Sequence, residues 1–426
     1  MHHENRAWIE QLEGGALNAE LTWLYAEDAG RQAVRCAQAV KAFEACFGER
    51  AARIVSVPGR TELCGNHTDH QRGRVLAAAV MLDMLAVAAP NGSACVRLHS
   101  AGYGDTAISL ADLSVHGEEE GRTAALVRGV ASRLSALGYT VGGFDAYVVS
   151  DVPAGSGLSS SAAFEVLAGE LFNRLYNGGK IPPVLLAQAG QYAENVYFGK
   201  PCGMMDQTAC AAGGAVAIDF NNPEEPALSA IACDFTAMGH SLYVVDAGGS
   251  HADLTDEYAA IPGEMRAVAQ SFGQDALRGV EPEAFYAGIK ALRGRVSDRA
   301  ILRAMHFFAE NEHAQAAADA LRARDVEQYK TVMRTSGISS MELLQNIWPG
   351  NAAERSVALA LALCARALGE TGAWRIHGGG FAGTIQALVP QPLCEGYERT
   401  MREVFGAHAC QKLNIRPVGG YELIKK

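Results

Sequence analysis

Residues 151–162 read Asp-Val-Pro-Ala-Gly-Ser-Gly-Leu-Ser-Ser-Ser-Ala, and this stretch decides how the rest of the chain is interpreted. Alternating apolar residues at 144–149 predict a short strand before it, and an apolar stripe after it predicts a helix that begins near Ser160. Gly155 and Gly157 permit a tight turn that points backbone N–H groups inward. Two interpretations stay open here: a triphosphate cradle at a helix N-terminus, and a serine cap after a turn.

The composition excludes several classes of protein. A chain of 426 residues that is 49% hydrophobic predicts two domains with sizeable cores. A net charge of −11 disfavours a general nucleic-acid or membrane-surface binder, and no apolar run is long enough to predict a membrane span. The ten cysteines form no paired CxxC ligand sets, so we expect reduced thiols in a cytoplasmic protein. No repeat or heptad is visible, and we expect a monomer.

A polar stretch at 59–70 reads Gly-Arg-Thr-Glu-Leu-Cys-Gly-Asn-His-Thr-Asp-His. It follows a strand predicted to end at Pro58, and its donors and acceptors suit a polyhydroxylated ligand. A solvated loop is the alternative. His67 and His70, with the acid between them, echo part of a dinuclear zinc site, but residue 65 is glycine where that pattern needs histidine. Metal binding by these histidines is therefore disfavoured.

Two further stretches carry chemistry. Residues 201–207 place Asp206 among Gly, Met and Cys, where a carboxylate is either capped by backbone donors or chemically used. Residues 372–383 form a glycine-rich loop that matches a dinucleotide fingerprint weakly, because a strand and not a helix is predicted after it. The same loop resembles an esterase oxyanion motif, but the chain has no Gly-x-Ser-x-Gly and no ordinary P-loop. The surviving features are those that a phosphoryl transferase needs.

Taken together, the four stretches resemble the motifs of the GHMP kinases and, within them, the galactokinases. The resemblance covers nearly the whole chain, in family order. It implies an α+β GHMP kinase fold with an N-terminal domain at 1–222, a C-terminal domain at 223–426, and the active site in the cleft between them. It also implies ATP-dependent phosphorylation of galactose at its anomeric oxygen, with ATP and Mg²⁺ and with no nucleic-acid or membrane partner.

The resemblance assigns a role to each motif residue. Asp206 and Arg60 are the implied catalytic pair, and Ser161 and Glu194 are the implied Mg²⁺ ligands. The loop at 378–380 is expected to support the site from the second domain. The implied sugar ligands are Arg60, Asn66, His67, Asp69, Asp206 and Tyr258. The implied nucleotide ligands are Gly155, Ser156, Gly157, Leu158, Ser159, Ser160 and Ser161.

The chain departs from the galactokinase pattern at Asn66, where the family usually has a glutamate that accepts from the 6-hydroxyl of the sugar. An amide carbonyl also accepts, whereas a carboxylate would repel a sugar acid. Galactose is the favoured substrate, and galacturonate or another galactose-like sugar is the alternative. Residues 374–377, which precede the glycines of the loop at 372–383, also depart from the family. A non-catalytic sugar sensor is disfavoured because the serine loop is complete and Asp206 is present.

Overall fold

The computed structural model describes residues 4–153, 155–249, 254–348, 353 and 355–425, which form two β-sheets and surrounding helices. The first sheet has the order β12-β1-β2-β5-β3-β4, with β6 paired to β2 and β7 paired to β6. Its strands are β1 (Arg53–Cys64), β2 (Arg74–Pro90), β3 (Cys95–Ser100), β4 (Gly104–Ser109), β5 (Phe144–Ser150), β6 (Ala215–Asp219), β7 (Ala227–Ile231) and β12 (Tyr421–Glu422). The second sheet has the order β11-β8-β10-β9 and comprises β8 (His240–Asp246), β9 (Ala373–Ile376), β10 (Thr384–Pro390) and β11 (Cys410–Leu413).

The central strand β2 has apolar side chains on both faces, and helices therefore cover both faces of the first sheet. Along β2 the side chains alternate, so that Leu85 and Val87 pack on one helical layer and Ala86 and Ala88 on the other. The first layer contains α1 (Glu4–Glu13), α2 (Asn18–Tyr25) and α3 (Ala29–Phe47). The second contains α4 (Thr123–Ala136), α5 (Ser160–Tyr176), α6 (Pro183–Tyr192) and α7 (Met205–Ala212).

The remaining helices accompany the second sheet. They are α8 (Thr255–Ser271), α9 (Pro282–Leu292), α10 (Asp298–Arg322), α11 (Val326–Ser339), α12 (Ser356–Leu368) and α13 (Cys394–Phe405). Apolar residues of α10 and α11 share one buried cluster with Leu63 and Leu76 of the first sheet and Leu242 of the second. This shared core joins the two sheets and fixes the end of β1 against the helices.

One local prediction is wrong. Pro58 was expected to end the first strand, but β1 continues to Cys64 with a shift of register between Pro58 and Arg60. A bulge accommodates a residue that cannot donate to the ladder. At the C-terminus, β11 pairs with β8 in the second sheet and β12 pairs with β1 in the first.

The division of the chain at residue 222 stays a prediction. Beyond that point β7 and β12 pair within the first sheet, so the C-terminal half supplies strands to both sheets. The ten cysteines are all unpaired. No helix in the described part of the chain is long and apolar enough to cross a bilayer.

A buried charge network anchors the chain just before the glycine–serine loop. The carboxylate of Asp83, at the middle of β2, forms ion pairs with Arg35 and with Arg416, which donates at 3.0 Å. The backbone N–H of Asp151 donates to the carbonyl of Asp83 at 2.8 Å. Burial alone would raise the pKa of Asp83, but the two arginines lower it to about 2. The network therefore stays charged and holds the loop entrance against α3 and the sheet.

Candidate active site

The glycine–serine loop lies against β1. Gly155 and Gly157 have φ angles of 73° and 72°, the left-handed region that glycine occupies without strain. The backbone N–H of Arg60 donates to the carbonyl of Leu158 at 3.0 Å. Ser159 precedes α5 without capping it through its side chain, because its hydroxyl donates to Asp206 at 2.7 Å. The cap interpretation is therefore wrong for this side chain, and the hydroxyl serves the neighbouring carboxylate.

Asp206 stands in the first turn of α7 and faces Arg60. The Nε of Arg60 donates to Oδ1 at 2.7 Å, and its Nη2 donates to Oδ2, so the pair is bidentate. Arg60 is nearly buried, whereas 29% of the Asp206 side chain is exposed. Burial alone would raise the pKa of Asp206, but Arg60 and Ser159 hold it below its usual value. The carboxylate is therefore ionised at neutral pH and fixed in direction.

Asp69 is the second carboxylate of this region. It accepts backbone N–H bonds from His70 at 2.9 Å and from Met205 at 3.5 Å. Burial and the nearby charge of Asp206 raise the pKa of Asp69 to about 6. Gly203 makes this position possible, since a Cβ there would lie 1.7 Å from Oδ2 of Asp69. The two acids of the site thus have pKa values moved in opposite directions.

The glycine-rich loop at 372–383 contacts the polar stretch at 59–70, and Tyr258, through its backbone carbonyls. The carbonyl of Gly378 accepts from Asn66 at 2.7 Å, that of Gly379 from Nε2 of His67 at 3.0 Å, and that of Gly380 from the hydroxyl of Tyr258 at 2.8 Å. A Cβ at Gly379 would lie 2.7 Å from the ring of Tyr258. Three predicted sugar ligands are therefore brought together at one loop of the second sheet.

Asn66 is saturated by protein contacts. Its Nδ2 donates to both oxygens of Glu62 at 3.2 Å as well as to Gly378, and its Oδ1 accepts from Asn346 at 2.9 Å. Only 1% of the residue is exposed. Its role as a direct sugar ligand stays a prediction. These contacts instead hold the polar stretch at 59–70 against the glycine-rich loop at 372–383.

The predicted metal ligands also lie together. The hydroxyl of Ser161 is 3.3 Å from Oε1 of Glu194, and both are hard oxygen donors of the kind that Mg²⁺ prefers. Gln207 donates to Oε2 of Glu194 at 3.0 Å and to Glu165 at 2.9 Å. A single carboxylate fits Mg²⁺, which usually completes its shell with water and substrate phosphates. Among the residues that the structure describes, no group of three or more His, Cys, Asp or Glu side chains is placed to hold a metal.

Comparisons with known families agree with this arrangement. The galactokinase galactose-binding signature matches residues 41–90, which contain Arg60, Asn66, His67 and Asp69. The N-terminal domain of the GHMP kinases matches residues 125–214, which contain the glycine–serine loop, Glu194 and Asp206. The chain therefore contains a galactokinase-type sugar-binding signature followed by a GHMP kinase N-terminal domain, the arrangement of a sugar kinase. Its family uses ATP as a substrate, and the sugar-binding signature precedes the kinase domain in the sequence.

Solved structures show the same fold as this sugar kinase. The galactokinase of Lactococcus lactis, solved with galactose, is 22% identical with a TM-score of 0.80, covering 92% of this chain and 100% of that one. The mevalonate kinase of Methanococcus jannaschii is 14% identical with a TM-score of 0.60, covering 85% and 98%. A D-glycero-D-manno-heptose 1-phosphate kinase from Bacteroides thetaiotaomicron gives 14%, a TM-score of 0.58, and coverage of 87% and 99%. The α+β GHMP kinase fold is thus confirmed.

Three residues of the kinase site were missed in the sequence. Glu62 lies inside the signature, but its buried contact with Asn66 depends on the bulged strand. His377 binds Thr61 at 2.9 Å and Thr384 at 3.1 Å, and its ring approaches Gly157 of the glycine–serine loop. Lys200 reaches Glu194 at 3.1 Å. Glu62 could have been noticed as the one acid between the first two motif glycines, whereas the other two carry no sequence signal.

Proposed function

We propose that this kinase transfers the γ-phosphoryl group of ATP to the anomeric oxygen of galactose, producing galactose 1-phosphate and ADP. The observation that carries the proposal is the bidentate Arg60–Asp206 pair, which lies beside the glycine–serine loop and bonds to its hydroxyl at Ser159. A phosphoryl transferase needs a fixed acceptor site next to a phosphate cradle. An oriented carboxylate beside the glycine–serine loop supports the proposal.

The proposed reaction is a direct in-line transfer. Asp206 accepts a hydrogen bond from the anomeric hydroxyl and takes its proton as the new O–P bond forms and the bond to ADP breaks. Because its pKa is low, Asp206 is a weak base, which suits a loose transition state in which the proton leaves late. Arg60 holds the carboxylate and stabilises the charge that develops on the phosphoryl oxygens.

Ser161 and Glu194 are the proposed ligands of Mg²⁺. When bound, the ion neutralises phosphate charge and orients the triphosphate. The backbone N–H groups of 155–161 and the N-terminus of α5 are proposed to hold the phosphates. A monomer in the cytoplasm remains the proposed state of the protein, and the ten unpaired cysteines support a reducing compartment.

The structure supports galactose over galacturonate. Residue 66 has no carboxylate, but Oε1 of Glu62 lies 3.2 Å from Nδ2 of Asn66. Glu62 is buried and paired with Arg375. Burial alone would raise the pKa of Glu310, but His313, His306 and Arg375 hold it below its usual range, and Glu310 accepts from the backbone N–H of Asn66 at 3.2 Å. These two buried acids share one buried arginine, Arg375, and Glu310 also contacts His313. A sugar acid brought there would meet repulsion, as it would with glutamate at position 66.

Release of ADP with MgATP and each of galactose, galacturonate, N-acetylgalactosamine and glucose tests the proposal. We expect galactose to give the highest kcat/KM. A preference for galacturonate would overturn the substrate assignment and leave the sugar-kinase assignment intact. Binding of galactose and ATP without release of ADP would support a sensor instead.

Acidification is expected to weaken capture of galactose. Asp69 is proposed to accept hydrogen bonds from ring hydroxyls as a carboxylate, and its pKa is raised to about 6. As pH falls through that value the carboxylate is protonated, so kcat/KM should fall about tenfold per pH unit. A pH profile of wild type and Asp69→Asn checks this. The variant should start low and show no fall near pH 6; an identical fall in both would assign the titration to another group.

A further inference from the structure

Lys200 lies at the predicted metal site, although the family resemblance gives it no role there. Its ammonium lies 3.1 Å from Oε1 of Glu194, the same oxygen that accepts from the hydroxyl of Ser161 at 3.3 Å. The Glu194 side chain is only 4% exposed, whereas that of Lys200 is 63% exposed. The pair therefore combines a buried anion with a cation that is largely exposed.

The backbone sets this pairing. A π-helical turn at Ala193–Phe198 ends at Gly199, whose φ of 83° lies in the left-handed region. The N–H of Lys200 then donates to the carbonyl of Glu194 at 3.1 Å. The lysine side chain is thus returned to the carboxylate that begins the same turn, and Pro201 leads the chain on toward Asp206.

A buried carboxylate is costly when it has no cation beside it. Glu194 needs such a partner in every state of the enzyme, including the state before a divalent cation arrives. We infer that Lys200 is a movable cation of this site, which balances Glu194 in the metal-free enzyme and turns to the phosphate oxygens of ATP when a divalent cation takes its place. The long, exposed lysine stem permits that movement.

The inference deepens the proposed function and rests on it for the identity of the nucleotide and the metal. An ammonium and a divalent cation repel each other at one carboxylate oxygen, so Lys200 competes with the metal in the absence of ATP. With ATP bound, the same ammonium adds positive charge where the transferred phosphoryl group becomes more negative. Removing it therefore has opposite effects on metal affinity and on turnover.

The first experiment is a titration of the full, ATP-free chain with Mn²⁺, in which electron paramagnetic resonance reports the free ion. We expect Lys200→Met to bind Mn²⁺ about tenfold more tightly than wild type. This figure already allows for solvent screening of the exposed lysine. Lys200→Arg, which keeps the charge, and Lys290→Met, which removes an exposed lysine of α9, should match wild type. Equal or weaker binding by Lys200→Met, or no Mn²⁺ binding by any form, would overturn the inference.

Turnover supplies the second readout. At saturating MgATP and galactose, kcat of Lys200→Met is expected to fall about tenfold, and Lys200→Arg should recover most of it. An unchanged kcat would show that Lys200 does not stabilise the phosphate oxygens of ATP during transfer. Because the Mn²⁺ titration needs no sugar, its outcome is separate from the proposed function. A wild-type enzyme that phosphorylates no sugar would overturn only the proposed function.

Discussion

Replacing Asp206 with asparagine is expected to lower kcat about 10²–10⁴-fold, the range typical of a lost proton acceptor. The amide keeps the size of the side chain but cannot take the proton of the anomeric hydroxyl. It also loses one acceptor, because Oδ2 of Asp206 accepts from both Arg60 and Ser159. ADP release under single-turnover conditions measures the effect on the chemical step.

Ser159→Ala is the matched control, since it removes one hydrogen bond to the same carboxylate and leaves its charge. Its kcat should fall less, by about 10- to 100-fold, which corresponds to one hydrogen bond to a charged group. Calorimetric titration with galactose should show that Asp206→Asn still binds sugar. An Asp206→Asn kinase that keeps kcat within a few-fold of wild type would show that this carboxylate neither accepts the proton nor orients the hydroxyl.

The sequence predicted the elements of the site well because each motif has its own local geometry. The glycine–serine loop and its following helix could be placed from glycine positions and apolar periodicity, and the helix begins at Ser160 as predicted. Asp69, His67 and Tyr258 were identified through the family resemblance, and the structure brings the last two to one glycine loop.

The contacts between motifs could not be predicted in the same way. The strand that was expected to end at Pro58 continues through a bulge, which turns Glu62 into the buried interior beside Asn66. Neither the bulge nor the approach of Arg375 from the second sheet has a period or spacing in the sequence. The same holds for Lys200, because a π-helical turn and not an α-helical spacing returns it to Glu194. Residue 66 was therefore interpreted alone, although its meaning depends on residue 62.

Asn66→Glu is expected to destabilise the kinase by about 3–5 kcal/mol, the cost of an uncompensated buried charge. It would place a second carboxylate against Glu62 and remove the donor that binds Gly378. Glu62→Asn should also be harmful, because Arg375 is fully buried and would lose its closer partner, leaving only Glu310 at 3.9 Å. Urea unfolding of each variant, together with the KM for galactose, measures both effects.

Exchanging the two residues tests whether they act as one unit. In Glu62→Asn/Asn66→Glu the amide and the carboxylate change places, so one buried acid again faces one amide within reach of Arg375. We expect the double variant to be more stable than the sum of the single changes predicts by about 2 kcal/mol, within the range for contacting residues. Galactose should also remain preferred over galacturonate, since the net charge of the pair is unchanged. Additive losses would mean that residues 62 and 66 are independent, and that asparagine at position 66 must be explained by the sugar itself.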